Sequence, residues 1–292
     1  MTSKGPRLRW GVEQRLEFIE FCLFWESGVN RADITGFFGV SVPQASKDLS
    51  QYQELAPENV QYDRSEKRYF ATDSFKPRFL EPDADHYLAQ LTSLVDSSFP
   101  GGHGWLTDPP SVDAMPVPHR RVDVSVLREI LAAIRAPASV EILYQSMNNE
   151  RPEPIWRWIT PHAFGSDGFR WHARAFCHID RKFKDFILSR ILDVREQGEP
   201  GEPGELDNQW NDFFEVILAP NPKLGENQQK VIAQDYEMQD GDIRIKVRRA
   251  LLYYFRKRLR LDVAAVLDDP REVPVVVTNQ PEFEAAIDDA AQ

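Results

Sequence analysis

The stretch GFRWHARAFCHIDRKFKDFILSRI, Gly168–Ile191, carries residue types suited to holding an anion. Read with strand alternation, Arg170, His172 and Arg174 share one face while Phe169, Trp171, Ala173 and Ala175 share the other, so one face is expected to be core and the other cationic. Arg offers a planar fork of donors that matches phosphate oxygens, and Tyr and His stack on bases or bond to their edges. A plainer reading pairs these arginines with acids across the sheet, such as Glu141, Asp185 or Asp193. Pairing is expected for Arg170, beside the turn Ser166-Asp167-Gly168. Arg174 and Arg190 lie deeper in apolar strands, where an unpaired cation is costly, and are expected to face a pocket. Trp156, Trp158 and Trp171 are expected in the core.

Other chemistries find less support. His172, Cys177 and His178 are close in sequence, but alternation splits them between faces, and no C-x-x-C or H-E-x-x-H spacing supplies further ligands. Nothing identifies a group to orient a His as base for a Cys177 nucleophile. There is no G-x-x-x-x-G-K-[ST] loop and no G-x-G-x-x-G fingerprint, so neither nucleotide hydrolysis nor a dinucleotide cofactor is indicated. No catalytic residue, metal or cofactor is expected, and the chain does not read as an enzyme.

A second set of polar residues lies near the N-terminus. Val12, Leu16, Ile19 and Leu23 recur at helical spacing, with Phe18, Phe21 and Trp25 widening the stripe, so residues 11–25 read as a helix that Glu26-Ser27-Gly28 ends. A short helix is expected over 31–38, then a Gly39-Val40 turn, then a third helix in SVPQASKDLSQYQEL. Ser41 reads as its N-cap and Gln44 as the partner in an S-x-x-Q capping box, with Pro43 tolerated in the first turn. This is the order of a helix-turn-helix. Ala45 and Leu49 would face the first two helices, leaving Ser41, Gln44, Ser46, Lys47, Ser50 and Gln51 outward for base edges and phosphates. VQY and RYFA flank DRSEK as a hairpin, a wing carrying Arg64, Lys67 and Arg68 near its tip. A protein-contact role for the same domain is the alternative.

At 292 residues, 42% hydrophobic and 28% charged, the chain suits two or three globular domains, and no apolar run reaches membrane-spanning length. The N-terminus lacks the apolar segment of a signal peptide, and Cys22 and Cys177 are too few for a disulfide framework, so a cytoplasmic location is expected. The net charge is −11, yet residues 1–80 hold 11 basic and 11 acidic side chains, which leaves this segment the better one to meet a polyanion. A helix is expected over 82–95, with Asp83 to Asp85 opening it, and a Pro- and Gly-rich boundary follows from 97 to 120. Residues 122–135 read as a helix. SVEILYQS, PIWRWITPHAFG, FRWHARAFCH and FKDFILSRILDVRE then read as successive strands of a small barrel or curled antiparallel sheet. EQGEPGEPGELDN reads as an acidic linker. FFEVILAP, NQQKVIAQDY, IRIKVRR and ALLYYFRKRLRLD then give strand, helix, strand and helix of a small α+β unit. Its run from Ile243 to Asp262 has eight Arg or Lys against one Asp, a solvated face, a partner contact or a second nucleic-acid surface.

Residues 120–195 resemble a WYL domain, a small Sm-like or SH3-like barrel named for a Trp-Tyr-Leu run that stands here as Trp171-His172-Ala173. The pattern GFRWHARAFCHIDRKFKDFILSRI, preceded by a winged helix-turn-helix and followed by a C-terminal extension of the WCX type, is similar to the BrxR/CapW repressors of bacterial phage-defence systems, BREX and CBASS. The resemblance implies an α+β chain with four parts: a winged helix-turn-helix over 1–80, a helical linker over 81–118, a ligand-sensing WYL domain with its leading helix over 119–197, and a WCX-like dimerisation domain over 205–292. It implies a homodimeric repressor of a defence operon. Such a repressor binds an inverted repeat in double-stranded DNA and senses a nucleotide or nucleic-acid effector. The family's ligand pocket falls on Tyr144, Ser146, His162, His172, Arg174, Ser189 and Arg190. The competing expectation is an accessory protein that binds RNA or single-stranded DNA through the barrel.

Overall fold

The computed structural model describes residues 10–95, 104–118, 120–149, 151–267 and 269–291, in two units, 1–119 and 120–292. The first nine residues and the start of the Pro- and Gly-rich boundary lie outside the described residues.

In the first unit, helix α1 (Trp10–Trp25) buries Leu16, Phe18, Ile19, Phe21, Cys22 and Leu23. Helix α2 (Arg31–Phe38) opens on a capping box at Asn30. Asn30 accepts from the N–H groups of Ala32 and Asp33 at 2.6 and 3.2 Å, and Asp33 accepts from the Asn30 N–H at 2.8 Å. Such a cap contributes about 1 kcal/mol. Gly39, at φ 64°, ends α2 with its N–H on Thr35. Helix α3 (Val42–Leu55) is capped by Ser41 as expected, but only half the expected box forms. The Gln44 amide turns away and donates to Asp48 at 2.9 Å, because Arg15 draws that carboxylate into the α1–α3 contact at 2.6 Å.

Strands β1 (Val60–Asp63) and β2 (Arg68–Ala71) pair antiparallel as the wing, with Asp63 opposite Arg68. Val29 exchanges two backbone hydrogen bonds with Tyr69, adding a rung to the wing. The chain reaches that rung through Gly28, at φ 88°, where an added Cβ would collide with the Tyr69 carbonyl. Beyond the wing, Glu20 fastens the backbone to α1. One oxygen of this buried carboxylate accepts from the Tyr52 hydroxyl at 2.9 Å, and the other accepts from the N–H groups of Arg78, Phe79 and Leu80 at 2.6 to 2.8 Å. Helix α4 (Ala84–Val95) follows, with Asp83 accepting from the His86 N–H at 2.9 Å. The later part of the expected boundary is not a free linker. Trp105 packs edge-on against Phe18 and Phe21, and Glu26 accepts from the Thr107 N–H at 2.6 Å.

In the second unit, helix α5 (Val124–Arg135) packs Val126, Ile130 and Ala133 onto a sheet of β3 (Ser139–Tyr144), β4 (Ile155–Ser166), β5 (Trp171–Cys177), β6 (Lys182–Ile187) and β7 (Ile191–Gly198). Its order is β6-β5-β4-β3-β7, all antiparallel, with register shifts between Pro161 and Ala163 and along β3 that let it curl. Among the described residues β6 and β7 do not pair, so of the two expected forms, small barrel or curled antiparallel sheet, it is the curled sheet, with two edges, that forms. The last expected strand is two: a 3₁₀ turn at Leu188–Arg190 carries the chain from one edge of the sheet to the other.

The C-terminal part runs α6 (Asn208–Asn211), β8 (Phe213–Pro220), α7 (Glu226–Asp235), β9 (Ile243–Arg248), α8 (Leu252–Arg258), α9 (Leu261–Leu267), β10 (Val275–Val277) and α10 (Gln280–Ala291). Its sheet is β10-β8-β9, antiparallel, and Val216, Leu218, Leu252 and Phe283 form its core. The helix expected through Asp262 stops at Arg258, since Arg260 takes φ 55°. The basic run meets acids of its own chain: Arg256 bonds Glu284 at 2.6 Å, Lys257 bonds Asp262 at 2.5 Å and Arg260 bonds Glu272 at 3.0 Å.

Candidate nucleic-acid interface and sensing face

Helix α3 turns Ala45, Asp48, Leu49 and Tyr52 inward. Of the six residues expected outward, Ser41, Lys47 and Ser50 are exposed, and Gln44, Ser46 and Gln51 are half-buried. Ser41 accepts from the Gln44 N–H at 3.4 Å as cap, and the Ser46 hydroxyl donates to the Val42 carbonyl at 3.0 Å. Asp48 therefore aims Gln44: it takes one amide hydrogen and leaves the carbonyl oxygen and second hydrogen for a base edge. Asp48 is itself gripped by Arg15 at 2.6 and 3.3 Å, and removing one partner of such a buried pair costs about 3–5 kcal/mol. Arg64 and Lys67 are exposed on the wing turn, which Asp63 shapes by accepting from the N–H groups of Ser65 and Glu66. Arg68 departs from expectation. On β2 it points back to the helices and donates to the Gly28 carbonyl and to Asp33, both at 3.1 Å, so it braces the wing.

The sheet of the second unit separates the seven pocket residues expected there. Along β5, Ala173, Ala175 and Cys177 face the α5 core, and His172 and Arg174 face away from it. On this outer face Arg174 is 5% exposed and already paired, contrary to the expectation that it faces an open pocket. Its Nε and Nη2 donate to the two oxygens of Asp207 at 2.7 and 3.0 Å, and Nη1 donates to Asp185 at 3.4 Å. Asp185, directly across on β6, is one of the acids expected as a partner; Asp207 comes from the expected linker. His162 lies 3.0 Å from the same Asp207 oxygen that takes the Arg174 Nε bond. Burial would raise the Asp207 carboxyl, but the hydrogen bonds from His162 and Arg174 outweigh it and hold it down at about 2.

His172 is also on the outer face, buried, with Nε2 3.4 Å from Asp167 and its ring 4.7 Å from that of Tyr254. Burial depresses its pKa despite the nearby Asp185 and Asp167. The Tyr254 hydroxyl donates to Asp185 at 3.2 Å, so α8 joins the network. Arg170 pairs as expected, though with Asp167 in its own turn, at 2.7 Å. Phe169 and Trp171 are 53% and 57% exposed, not core: Trp171 is the last rung before the 167–170 turn, past the reach of the α5 core.

Tyr144 faces the interior instead. Its hydroxyl accepts from the Ile187 N–H at 3.3 Å, and its ring lies 5.7 Å from the guanidinium of Arg157. Ser146, Ser189 and Arg190 are half-buried at the same end, where the Arg190 carbonyl accepts from the Gln145 N–H at 3.1 Å. Arg157 was not singled out from sequence. It is 3% exposed, 3.8 Å from Asp180, and its Nε and Nη2 have no hydrogen-bond partner among the described residues. Arg151 and Lys184 each bond Asp180 at 2.9 Å, so three cations share one carboxylate. Burial would raise Asp180; the bonds from Lys184 and Arg151 hold it well below the usual carboxylate range. The signal was in the strand alternation, which puts Arg157 on the same face as Ile155 and Ile159.

Three segments match known domains: residues 11–93 the BrxR transcriptional regulator winged helix-turn-helix domain, residues 125–196 the WYL domain, and residues 213–283 the BrxR transcriptional regulator C-terminal dimerization domain. The DNA-binding transcriptional repressor CapW of Escherichia coli (strain KTE188) is 39% identical over 290 residues, 98% of this chain and 95% of that protein. CapW of Pseudomonas aeruginosa is 38% identical over the same shares, and that of Stenotrophomonas maltophilia 38% identical over 96% of this chain and 94% of its own. The solved structure of proteasome accessory factor B/C of Arthrobacter aurescens is 15% identical with a TM-score of 0.30, over 95% of this chain and 46% of that longer one. With winged helices, WYL sheet and dimerization unit all matched in order, the chain belongs to the BrxR/CapW family of WYL-domain transcriptional regulators.

Proposed function

We propose that this protein is a homodimeric, cytoplasmic, DNA-binding transcriptional repressor of a phage-defence operon, whose WYL domain takes up a nucleotide or nucleic-acid effector. The observation that carries it is the surface of α3. Lys47 and Ser50 are exposed and Gln44 is aimed from behind by the Arg15–Asp48 pair, in a domain whose wing tip exposes Arg64 and Lys67. Gln44 and Gln51 are fitted to base edges, and Lys47, Arg64 and Lys67 to phosphates. The buried Arg157, whose Nε and Nη2 have no hydrogen-bond partner among the described residues, and the Arg174–His162 pair support an anionic effector. Release follows linkage: the effector lowers operator affinity only insofar as it prefers a conformation that binds DNA badly.

A second reading, an accessory protein that binds single strands, is favoured by the exposure of Trp171, whose ring is available for base stacking; the Phe169 ring already carries the Arg258 guanidinium 4.8 Å from its centroid. One gel-shift series separates the two. The full chain is titrated onto the duplex upstream of its own gene with single strands as competitor, over a range of salt. The repressor is expected to keep the duplex. Lys47→Ala should weaken binding and flatten the slope of log K against log salt by about 0.9, one phosphate contact. Arg68→Ala should leave that slope in place and lower the unfolding midpoint. Preference for single strands of any sequence removes the repressor reading.

A further inference from the structure

The donors that meet Asp207 are those that recognise a phosphate. Arg174 presents two parallel N–H groups, at 2.7 and 3.0 Å, and His162 adds a third donor at 3.0 Å, all to one buried anion. That anion belongs to the protein itself. Asp207 ends the segment 199–207, which lies against the sheet just before the dimerization unit begins at β8.

Asp207 is the main tie of this segment to the sheet; the bonds from the Asn211 amide to the Gly204 and Glu205 carbonyls, at 2.8 and 3.1 Å, come from α6 at the edge of the dimerization unit. Of residues 199–208 only Asp207 is buried, and the one large apolar side chain, Leu206, is exposed. Among the described residues the Gly201 N–H adds a hydrogen bond to the sheet, donating to the Thr160 hydroxyl at 2.7 Å. The fit is close at the glycines: a Cβ on Gly204 would stand 2.6 Å from Cγ of His162, and one on Gly201 would stand 2.8 Å from Nε2 of His178. Asp207 also caps α6, where its carboxylate accepts from the Trp210 N–H at 3.2 Å.

We propose that Arg174 and His162 form a phosphate subsite which Asp207 keeps filled. A phosphate-bearing effector enters by evicting Asp207, unfastening residues 199–207 and loosening the tie between the WYL sheet and the dimerization unit. The inference rests on the reading of the WYL domain as the sensing part. It adds that the unliganded sensor is held by a competitor built into the chain, so that apparent affinity is reduced by the fraction of molecules in which the seat is taken.

The test uses inorganic pyrophosphate as probe, by calorimetry on the full-length protein. Asp207→Asn removes the competing charge. Gly204→Ala leaves Asp207, Arg174 and His162 in place and crowds the segment off His162. Both are expected to bind pyrophosphate about tenfold tighter than wild type or better, and the double variant Asp207→Asn/Arg174→Gln is expected to lose that gain. Pyrophosphate should also speed amide exchange over 199–207 in the wild type. The proposal is overturned if neither single variant binds tighter, or if the gain survives without Arg174. Should Asp207→Asn not fold, Gly204→Ala decides on the same readout. Duplex binding by the wild type is scored in parallel. Its loss sinks the repressor reading, whereas duplex binding with unchanged pyrophosphate affinity in both variants sinks the competitor alone.

Discussion

His172 shows what a buried polar side chain does to the pH response. Its imidazole is 1% exposed, Nδ1 has no hydrogen-bond partner among the described residues, and burial pulls its pKa below 6.5 more strongly than Asp185 and Asp167 raise it. Below pH 6.5 the unfolded chain takes up a proton that the folded chain resists, so the stability of the neutral form is complete above that pH and is lost as pH falls beneath it. His178, lowered by burial and by Arg181, acts in the same direction. The melting temperature is expected to be level above about pH 6.5 and to fall below it, less steeply in His172→Gln, as a fluorimetric melt series at varied pH would record. That His172 and Arg174 share a face was legible in the alternation of Trp171-His172-Ala173-Arg174. Their partners were not: Asp207 lies 33 residues downstream of Arg174 in a stretch whose composition reads as a linker, and nothing local marks one acid there as buried. Arg157 was legible and overlooked, its strand position hidden by the tryptophans on either side.

Gly28 sets the junction between helix and wing. It combines φ 88° with an approach to the Tyr69 carbonyl that leaves no room for a methyl group, so Gly28→Ala meets both backbone strain and a clash. A loss on the order of 3 kcal/mol is expected in urea unfolding, with weaker duplex binding as the Val29–Tyr69 rung opens. The three N-terminal helices and the hairpin were readable because each is announced locally, by apolar spacing, by Ser41 or by Gly39. The break at Leu188–Arg190 was not, since it holds no Gly or Pro and continues an apolar pattern. Its cause is topological: β6 and β7 are consecutive in the chain yet form opposite edges of the sheet, so the chain must turn between them. The short β10 and the final α10 were missed for a related reason, as three valines gain a strand only by pairing with β8.

Charge and symmetry belong to the entire protein. A chain of net charge −11 approaches DNA only through a part that is not itself acidic, and the winged segment, with balanced charges, meets that condition. With a dimerization unit at its C-terminal end, the full chain is expected to sediment as a dimer and to footprint two half-sites about 34 Å apart or a multiple of it. A monomer at binding concentrations, or a single protected half-site, would contradict this. The clamp at Glu20 bears on how such a dimer would let go. One oxygen grips the backbone beyond the wing and the other grips Tyr52 of α3. A tug on the backbone at 78–80 must either tear away three amide hydrogens or pass straight into α3, the helix proposed to lie on DNA, which makes a single carboxylate the domain's drawbar.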